Sequence, residues 1–143
     1  MMEEPILIQA WKRGLFSVSS ESKCSHSMTT NLKLYGLRIS YYTGKLEGYL
    51  RYKEIPYDFV TLNPRLMRML RDKTGAAQMP AVELPDGRFM TDTTPMIAWL
   101  ETQHPNSAVI PNDPLLRFFS HLLEDYAEEW LWRPAMHYRW SYV

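Results

Sequence analysis

Residues 79–92, MPAVELPDGRFMTD, set the tightest limit on what this chain can fold into. Val82 and Leu84 share one face of a strand, Pro85-Asp86-Gly87 offers a turn with glycine at the left-handed position, and RFMTD returns antiparallel. What precedes this hairpin has a different rhythm. LKLYGL, residues 32–37, alternates apolar and polar side chains and stops at RIS, as a strand running into a turn does. From Thr43 to Lys53, Leu46, Tyr49 and Leu50 fall on one helical face. Gly44 and Gly48 weaken that helix by roughly 1 kcal/mol each, and Gly48 is expected to mark close contact between helix and sheet. IPYDFVTL, residues 55–62, is a second strand entered through Pro56. Asn63 then caps a helix with Pro64 at its first position and Leu66, Met69 and Leu70 as its buried stripe. The hairpin therefore closes a β-α-β-α run instead of adding another crossover.

Beyond the hairpin, Thr93 or Thr94 is expected to cap a helix with Pro95 in its first turn and Met96, Ile97 and Leu100 facing inward, ending near His104-Pro105. NSAVIPNDP reads as a linker. Leu115, Phe118, Phe119, Leu122 and Tyr126 mark a longer amphipathic helix, expected to stop near Pro134. The Ser/Thr-rich stretch SVSSESKCSHSMTT lacks periodicity. The expected organisation is a flexible extension over 1–30, an α/β domain over 31–105, a linker over 106–113 and the start of a helical domain over 114–143.

Charge narrows the partners. Sixteen basic and sixteen acidic residues cancel, so no overall positive field gathers nucleic acid or anionic lipid. No apolar run reaches the length of about eighteen residues that a spanning helix needs. Neither nucleic acid nor membrane is expected as a partner. The single cysteine, Cys24, rules out an internal disulfide and a Cys-x-x-Cys motif, and the expected compartment is the reducing cytoplasm. The alternative is mitochondrial, if residues 1–30 are a targeting segment, although Glu3, Glu4 and Glu21 there offset Lys12, Arg13 and Lys23.

Three motifs carry a family resemblance. LYGLRISYYTGKLEGYLRYKEIPYDF is similar to the strand-loop-helix opening of glutathione S-transferases, in which a Ser-Pro or Cys-Pro pair begins the first helix. Ser40 matches the Ser or Cys and Tyr41 replaces the Pro. GAAQMP resembles the segment where the residue before a cis-proline offers its backbone to the cysteinyl part of glutathione, with Gln78, Met79 and Pro80 in place. TDTTPMIAWL resembles the Glu-Ser or Gln-Ser step into the third helix, with Asp92 at the acid and Thr93 at the hydroxyl. The resemblance implies a thioredoxin-like β-α-β-α-β-β-α domain followed by an incomplete all-α domain.

It also implies roles. Ser40 would stabilise the thiolate of glutathione, the co-substrate, for attack on a hydrophobic electrophile held by the second domain. Gln78, Met79 and Pro80 would hold the peptide backbone, Asp92 the γ-glutamyl ammonium, and Thr93 with free helix N–H groups the neighbouring carboxylate. Lowering a thiol pKa of ~8.5 by about two units takes roughly 2.7 kcal/mol, which a serine O–H at a helix start can supply. Tyr35, Tyr41 and Thr43 are rival donors to the thiolate. Thr93 also has a purely structural reading, as a helix cap. A glutaredoxin-like reductase is disfavoured because Ser40 and Thr43 stand where redox cysteines would be.

His121, Glu124, Asp125 and Glu128 share a helical face, but it reads as solvated, and no metal is expected. His137 sits among Trp130, Trp132, Tyr138 and Trp140, where packing is the plain reading. The helical part is short for the family, so the chain is expected to be C-terminally incomplete, leaving an apolar face bare unless a second subunit covers it in a homodimer. The rival to a transferase is a non-catalytic protein-interaction module of the same fold.

Overall fold

Gly36 ends the first strand where the chain must turn into a helix, and the whole architecture hangs on that junction. A computed structural model describes residues 31–142. It contains β1 (Leu32–Gly36), α1 (Tyr41–Tyr52), β2 (Tyr57–Thr61), α2 (Pro64–Thr74), β3 (Ala81–Glu83), β4 (Phe89–Thr91) and α3 (Thr93–Gln103). These are followed by α4 (Pro114–Asp125), a π-helical turn (Tyr126–Leu131) and α5 (Trp132–Trp140). The chain divides into two units, one ending at Leu100 and the other beginning at Glu101.

The sheet order is β2-β1-β3-β4. β1 and β2 are parallel, as a crossover through α1 requires, with Leu34 opposite Phe59. β3 runs antiparallel to β1, and β4 antiparallel to β3. The Pro85-Asp86-Gly87 turn forms as its residues dictate: Gly87 has φ 83°, its N–H donates to the Leu84 carbonyl at 2.9 Å, and Asp86 accepts from the Arg88 N–H at 3.0 Å. Mixed pairing with one hairpin is the thioredoxin-like arrangement.

Alternation along β1 separates two layers. Leu32 and Leu34 join Leu46 and Leu50 of α1 and Met96 and Leu100 of α3 on one face. Tyr35 joins Leu70 of α2 and Ala81 on the other. Helix α2 starts where Asn63-Pro64 predicts, with Asn63 accepting from the Leu66 N–H at 2.9 Å. Of its expected stripe only Leu70 is fully buried; Leu66 and Met69 are half-buried because α2 covers the sheet near its margin.

Some expectations need correcting. Gly48 is exposed and a side chain there would meet nothing within 4 Å, so it marks no close packing. The close approach is at Gly36, where an added Cβ would lie 2.6 Å from Thr43 Cγ2 and 2.7 Å from Thr43 Oγ1. Nor does the helical path stop at Pro134, which falls in the first turn of α5. In an unbroken α-helix its ring would meet the carbonyl four residues back, that of Trp130. That carbonyl belongs to the wider π turn, which lets the path continue past the proline.

One polar cluster braces α1 against the edge strand β2. Glu47 Oε1 accepts from Arg51 Nη2 at 2.7 Å, the Tyr57 hydroxyl at 2.9 Å and Arg38 Nη1 at 3.1 Å. The Arg38 guanidinium also lies 4.5 Å from the Phe59 ring centre. Burial pushes the Glu47 carboxyl up, but the Tyr57 hydroxyl and the two arginines outweigh it and hold the group below its ordinary range. A depressed carboxyl contributes stability above its unfolded pKa of about 4.3 and loses it as pH falls through the lower folded value. Glu47→Gln is therefore expected to cost about 1–2 kcal/mol at pH 7. The gap to wild type should close below about pH 4; urea midpoints measured between pH 3 and pH 7 check this.

In the second unit, Asp113 caps α4 by accepting from the N–H groups of Leu115 at 3.0 Å and Leu116 at 2.9 Å. The stripe Leu115, Phe118, Phe119, Leu122 and Tyr126 is 48–62% exposed. His137 lies edge-on to Tyr138 and Tyr142, with its Nδ1 3.0 Å from the Ser141 hydroxyl. His121 and Glu124 are 3.7 Å apart, and no described group of side chains is arranged to hold a metal. No described helix is long and apolar enough to cross a membrane. Residues 1–30, expected to be a flexible extension, lie outside the described residues.

Candidate functional site

Strand register gathers the three motifs. Tyr35 near the end of β1 pairs with Ala81 at the start of β3, and Ala81 pairs with Thr91 at the end of β4. Ser40 follows β1, Pro80 precedes β3 and Asp92 follows β4, so all three leave the same end of the sheet. The starts of α1 and α3, which cover one face, are brought to that end as well.

Ser40 is the N-cap of α1, with extended backbone at φ −78° and ψ 130°. Its Oγ accepts from the Thr43 N–H at a long 3.4 Å, and its own O–H meets no acceptor among the described residues. A half-buried hydroxyl at a helix start with its proton uncommitted can donate to an anion.

The rival donors stand differently. Tyr35 is buried on the α2 side of the sheet, opposite α1, and donates its O–H to Glu83 Oε2 at 2.7 Å. Lys33 reaches the same oxygen at 3.3 Å. Burial first, then the hydrogen bond and charge of Glu83, raises the Tyr35 pKa far above its ordinary value, the reverse of an activated phenol. Thr43 is fully buried, with its Oγ1 enclosed beside Gly36 and lacking a hydrogen-bond partner. Tyr41 is 49% exposed at the first position of α1.

Gln78 is exposed, Met79 is half-buried against the α2 layer, and Pro80 is buried. The Met79-Pro80 peptide bond is cis.

The start of α3 departs from expectation. Asp92, not Thr93 or Thr94, fills the capping position: its Oδ1 accepts from the Thr94 N–H at 3.2 Å and its carbonyl from the Met96 N–H at 3.2 Å. Asp92 has φ 71°, in the left-handed region that Asp enters more readily than most side chains. Thr93 is buried. Asp92 is exposed, and its Oδ2 is bonded to nothing among the described residues. Reasoning from sequence missed Lys45, whose Nζ donates to Thr94 Oγ1 at 3.4 Å and ties α1 to the start of α3. No motif in the sequence singled it out: Lys45 lies five residues past Ser40 and two before Glu47.

The family model for the glutathione S-transferase N-terminal domain matches residues 34–108. Among solved structures, the chain is similar to a glutathione transferase homologue from Sulfitobacter with bound glutathione, at 17% sequence identity over 78% of this chain and 57% of that one, TM-score 0.65. It is similar to glutathione transferase Omega 3C from Trametes versicolor, at 23% identity over 75% of this chain and 49% of that one, TM-score 0.65. It also resembles a glutathione S-transferase from Methylobacterium radiotolerans in complex with glutathione sulfonate, at 26% identity over 62% of this chain and 42% of that one, TM-score 0.57. The chain thus spans 42–57% of the length of these three proteins. No curated protein sequence matches it. With a mixed β2-β1-β3-β4 sheet and a family match over residues 34–108, more than half of its length, the chain belongs to the glutathione S-transferase family.

Proposed function

We propose that this chain binds glutathione at the end of the sheet where α1, β3 and α3 begin. Ser40 stabilises the thiolate there, the backbone at Gln78, Met79 and Pro80 pairs with the cysteinyl part, and Asp92 Oδ2 takes the γ-glutamyl ammonium beside Thr93. The observation that carries the reading is the state of Ser40: a cap that leaves its O–H free to donate, while Tyr35 is committed to Glu83 and Thr43 is enclosed. In a form with a full helical domain, the thiolate attacks a hydrophobic electrophile. Residues 31–105 act as the glutathione-binding domain, 106–113 as linker and 114–143 as the start of the helical part. No metal takes part, and the protein works in the cytoplasm.

Calorimetric titration of the full chain with glutathione tests this. Asp92→Asn keeps the acceptor for the Thr94 N–H and removes only the charge, so the folded variant is expected to bind about tenfold or more weakly. Ser40→Ala is expected to raise the pKa of the bound thiol, read from thiolate absorbance against pH, while S-methyl glutathione binds as before. Absence of heat at millimolar glutathione rejects the reading. The exposed stripe of α4 favours a second one, a non-catalytic association module or homodimer, and sedimentation at several concentrations separates it from a monomeric binder.

A further inference from the structure

Residues 37–40 turn the chain from β1 into α1. The Ser40 N–H donates to the Leu37 carbonyl at 2.9 Å, with Arg38 and Ile39 at the corner of the turn. Leu37 packs against the α2 layer and Ile39 is exposed. Arg38 reaches to the other side. Its Nη1 donates to Glu47 Oε1 at 3.1 Å, about two turns along α1, and its guanidinium lies 4.5 Å from the ring centre of Phe59 on β2. Glu47 is a firm anchor, because the same oxygen accepts from Arg51 Nη2 and the Tyr57 hydroxyl, and Arg51 Nε donates to that hydroxyl at 3.2 Å. A nearly buried carboxylate held by three donors has little freedom to follow a moving loop.

Ser40 has little that holds its own side chain. Its Oγ accepts from the Thr43 N–H at 3.4 Å, longer than most such bonds, so the place of the hydroxyl is set by the backbone of the turn. A group that donates to a reacting atom has to be held to within about 0.5 Å of its working position. We infer that Arg38 is a positioning residue for Ser40: by tying the corner of the turn to Glu47 and Phe59, it fixes where the Ser40 hydroxyl meets the thiol of the ligand. This inference rests on the glutathione-binding reading and adds to it the residue that keeps the thiolate donor in register. Arg38 acts through Ser40, not on the thiolate itself, since its guanidinium is engaged with Glu47. Cutting the tether lets the turn shift, and a directional O–H bond to sulfur loses more from such a shift than the rest of the peptide's contacts do.

The test is the thiolate absorbance of bound glutathione against pH, with calorimetry for glutathione and S-methyl glutathione and thermal unfolding of each protein alongside. The full chain is compared as wild type, Arg38→Met, Arg38→Lys, Ser40→Ala and Arg38→Met combined with Ser40→Ala. Arg38→Met keeps an apolar stem over Phe59 and removes the tether; it is expected to cut the thiolate fraction at pH 7 about threefold or more and to leave S-methyl glutathione within about twofold. Arg38→Lys keeps a charged donor for Glu47 and should recover most of the thiolate. Added to Ser40→Ala, Arg38→Met should change the titration no further, because its effect passes through a hydroxyl that is already gone. Arg38→Gln, too short to reach Glu47, serves if the methionine variant is poorly folded. A wild-type titration for Arg38→Met, or an equal shift with and without the Ser40 hydroxyl, overturns the inference while leaving the glutathione reading in place. Wild type binding no glutathione overturns that reading itself.

Discussion

Gly36→Ala is expected to destabilise the first unit by about 2–4 kcal/mol, more than its single added methyl suggests. The new Cβ would sit 2.6 Å from Thr43 Cγ2 and 2.7 Å from Thr43 Oγ1. Thr43 cannot yield, because it is fully buried and its branched side chain is held to few rotamers inside a helix. The strain must therefore go into the spacing between β1 and the first turn of α1, the turn that Ser40 caps. Removing the obstructing atoms should undo the damage: Gly36→Ala with Thr43→Ala is expected to recover more than half of the loss, a coupling that independent sites do not show. Thr43→Val alone should raise stability by about 1 kcal/mol, since it replaces an unpartnered buried hydroxyl with a methyl of the same shape. Urea unfolding followed by far-ultraviolet circular dichroism measures all three, and a wild-type midpoint for Gly36→Ala would reject the packing account.

Leu34→Ala is expected to cost about 3–5 kcal/mol, the largest effect of any single truncation discussed for this chain. Leu34 is fully buried, pairs across the sheet with Phe59 and Val82, and belongs to the cluster that joins α1 and α3 to β1. Truncation leaves a cavity between β1 and the two helices that pack on it, α1 and α3, and neither can close it without shifting against the sheet. Leu34→Ile, which keeps the volume, should cost under about 1.5 kcal/mol. Phe118→Ala, a larger truncation at a residue 59% exposed, should change stability by no more than about 0.5 kcal/mol. Ranking the three variants by urea midpoint checks the assignment of the core. Similar losses for Leu34→Ala and Phe118→Ala would mean that the stripe on α4 is covered in solution.

Elements fixed by short-range chemistry were legible in the sequence. The Asn63-Pro64 start of α2 and the Pro85-Asp86-Gly87 hairpin depend on residues within a few positions of one another, and both form as their side chains dictate. What escaped depends on partners far along the chain. Gly36 looks like any strand-ending glycine until Thr43 is placed against it, and Gly48 looks like a packing glycine until its side of α1 is seen to face solvent. Tyr35 is a plausible thiolate donor by position in the strand, but strand parity turns it to the α2 face, where Glu83 meets it across 48 positions. The capping of α3 was misassigned by one or two residues because two threonines precede Pro95, and only the backbone conformation of Asp92 shows which oxygen is turned toward the helix. Lys45 escaped for the same reason, since its partner Thr94 lies 49 positions away.

The π-helical turn at Tyr126–Leu131 has a bearing on how sequences of this kind are lined up against one another. A π turn is an α-helix that has taken in one extra residue, and each residue turns an α-helix by about 100°. Everything from Trp132 onward is therefore rotated by about that angle from the azimuth that the stripe of α4 would project. Trp132, Tyr138 and Trp140 cannot be assigned to the face of Leu115 and Phe118 by counting in threes and fours across the turn. An alignment that places a one-residue gap within 126–131 keeps each aromatic side chain on its true bearing, and one that runs through without a gap points the last helix the wrong way.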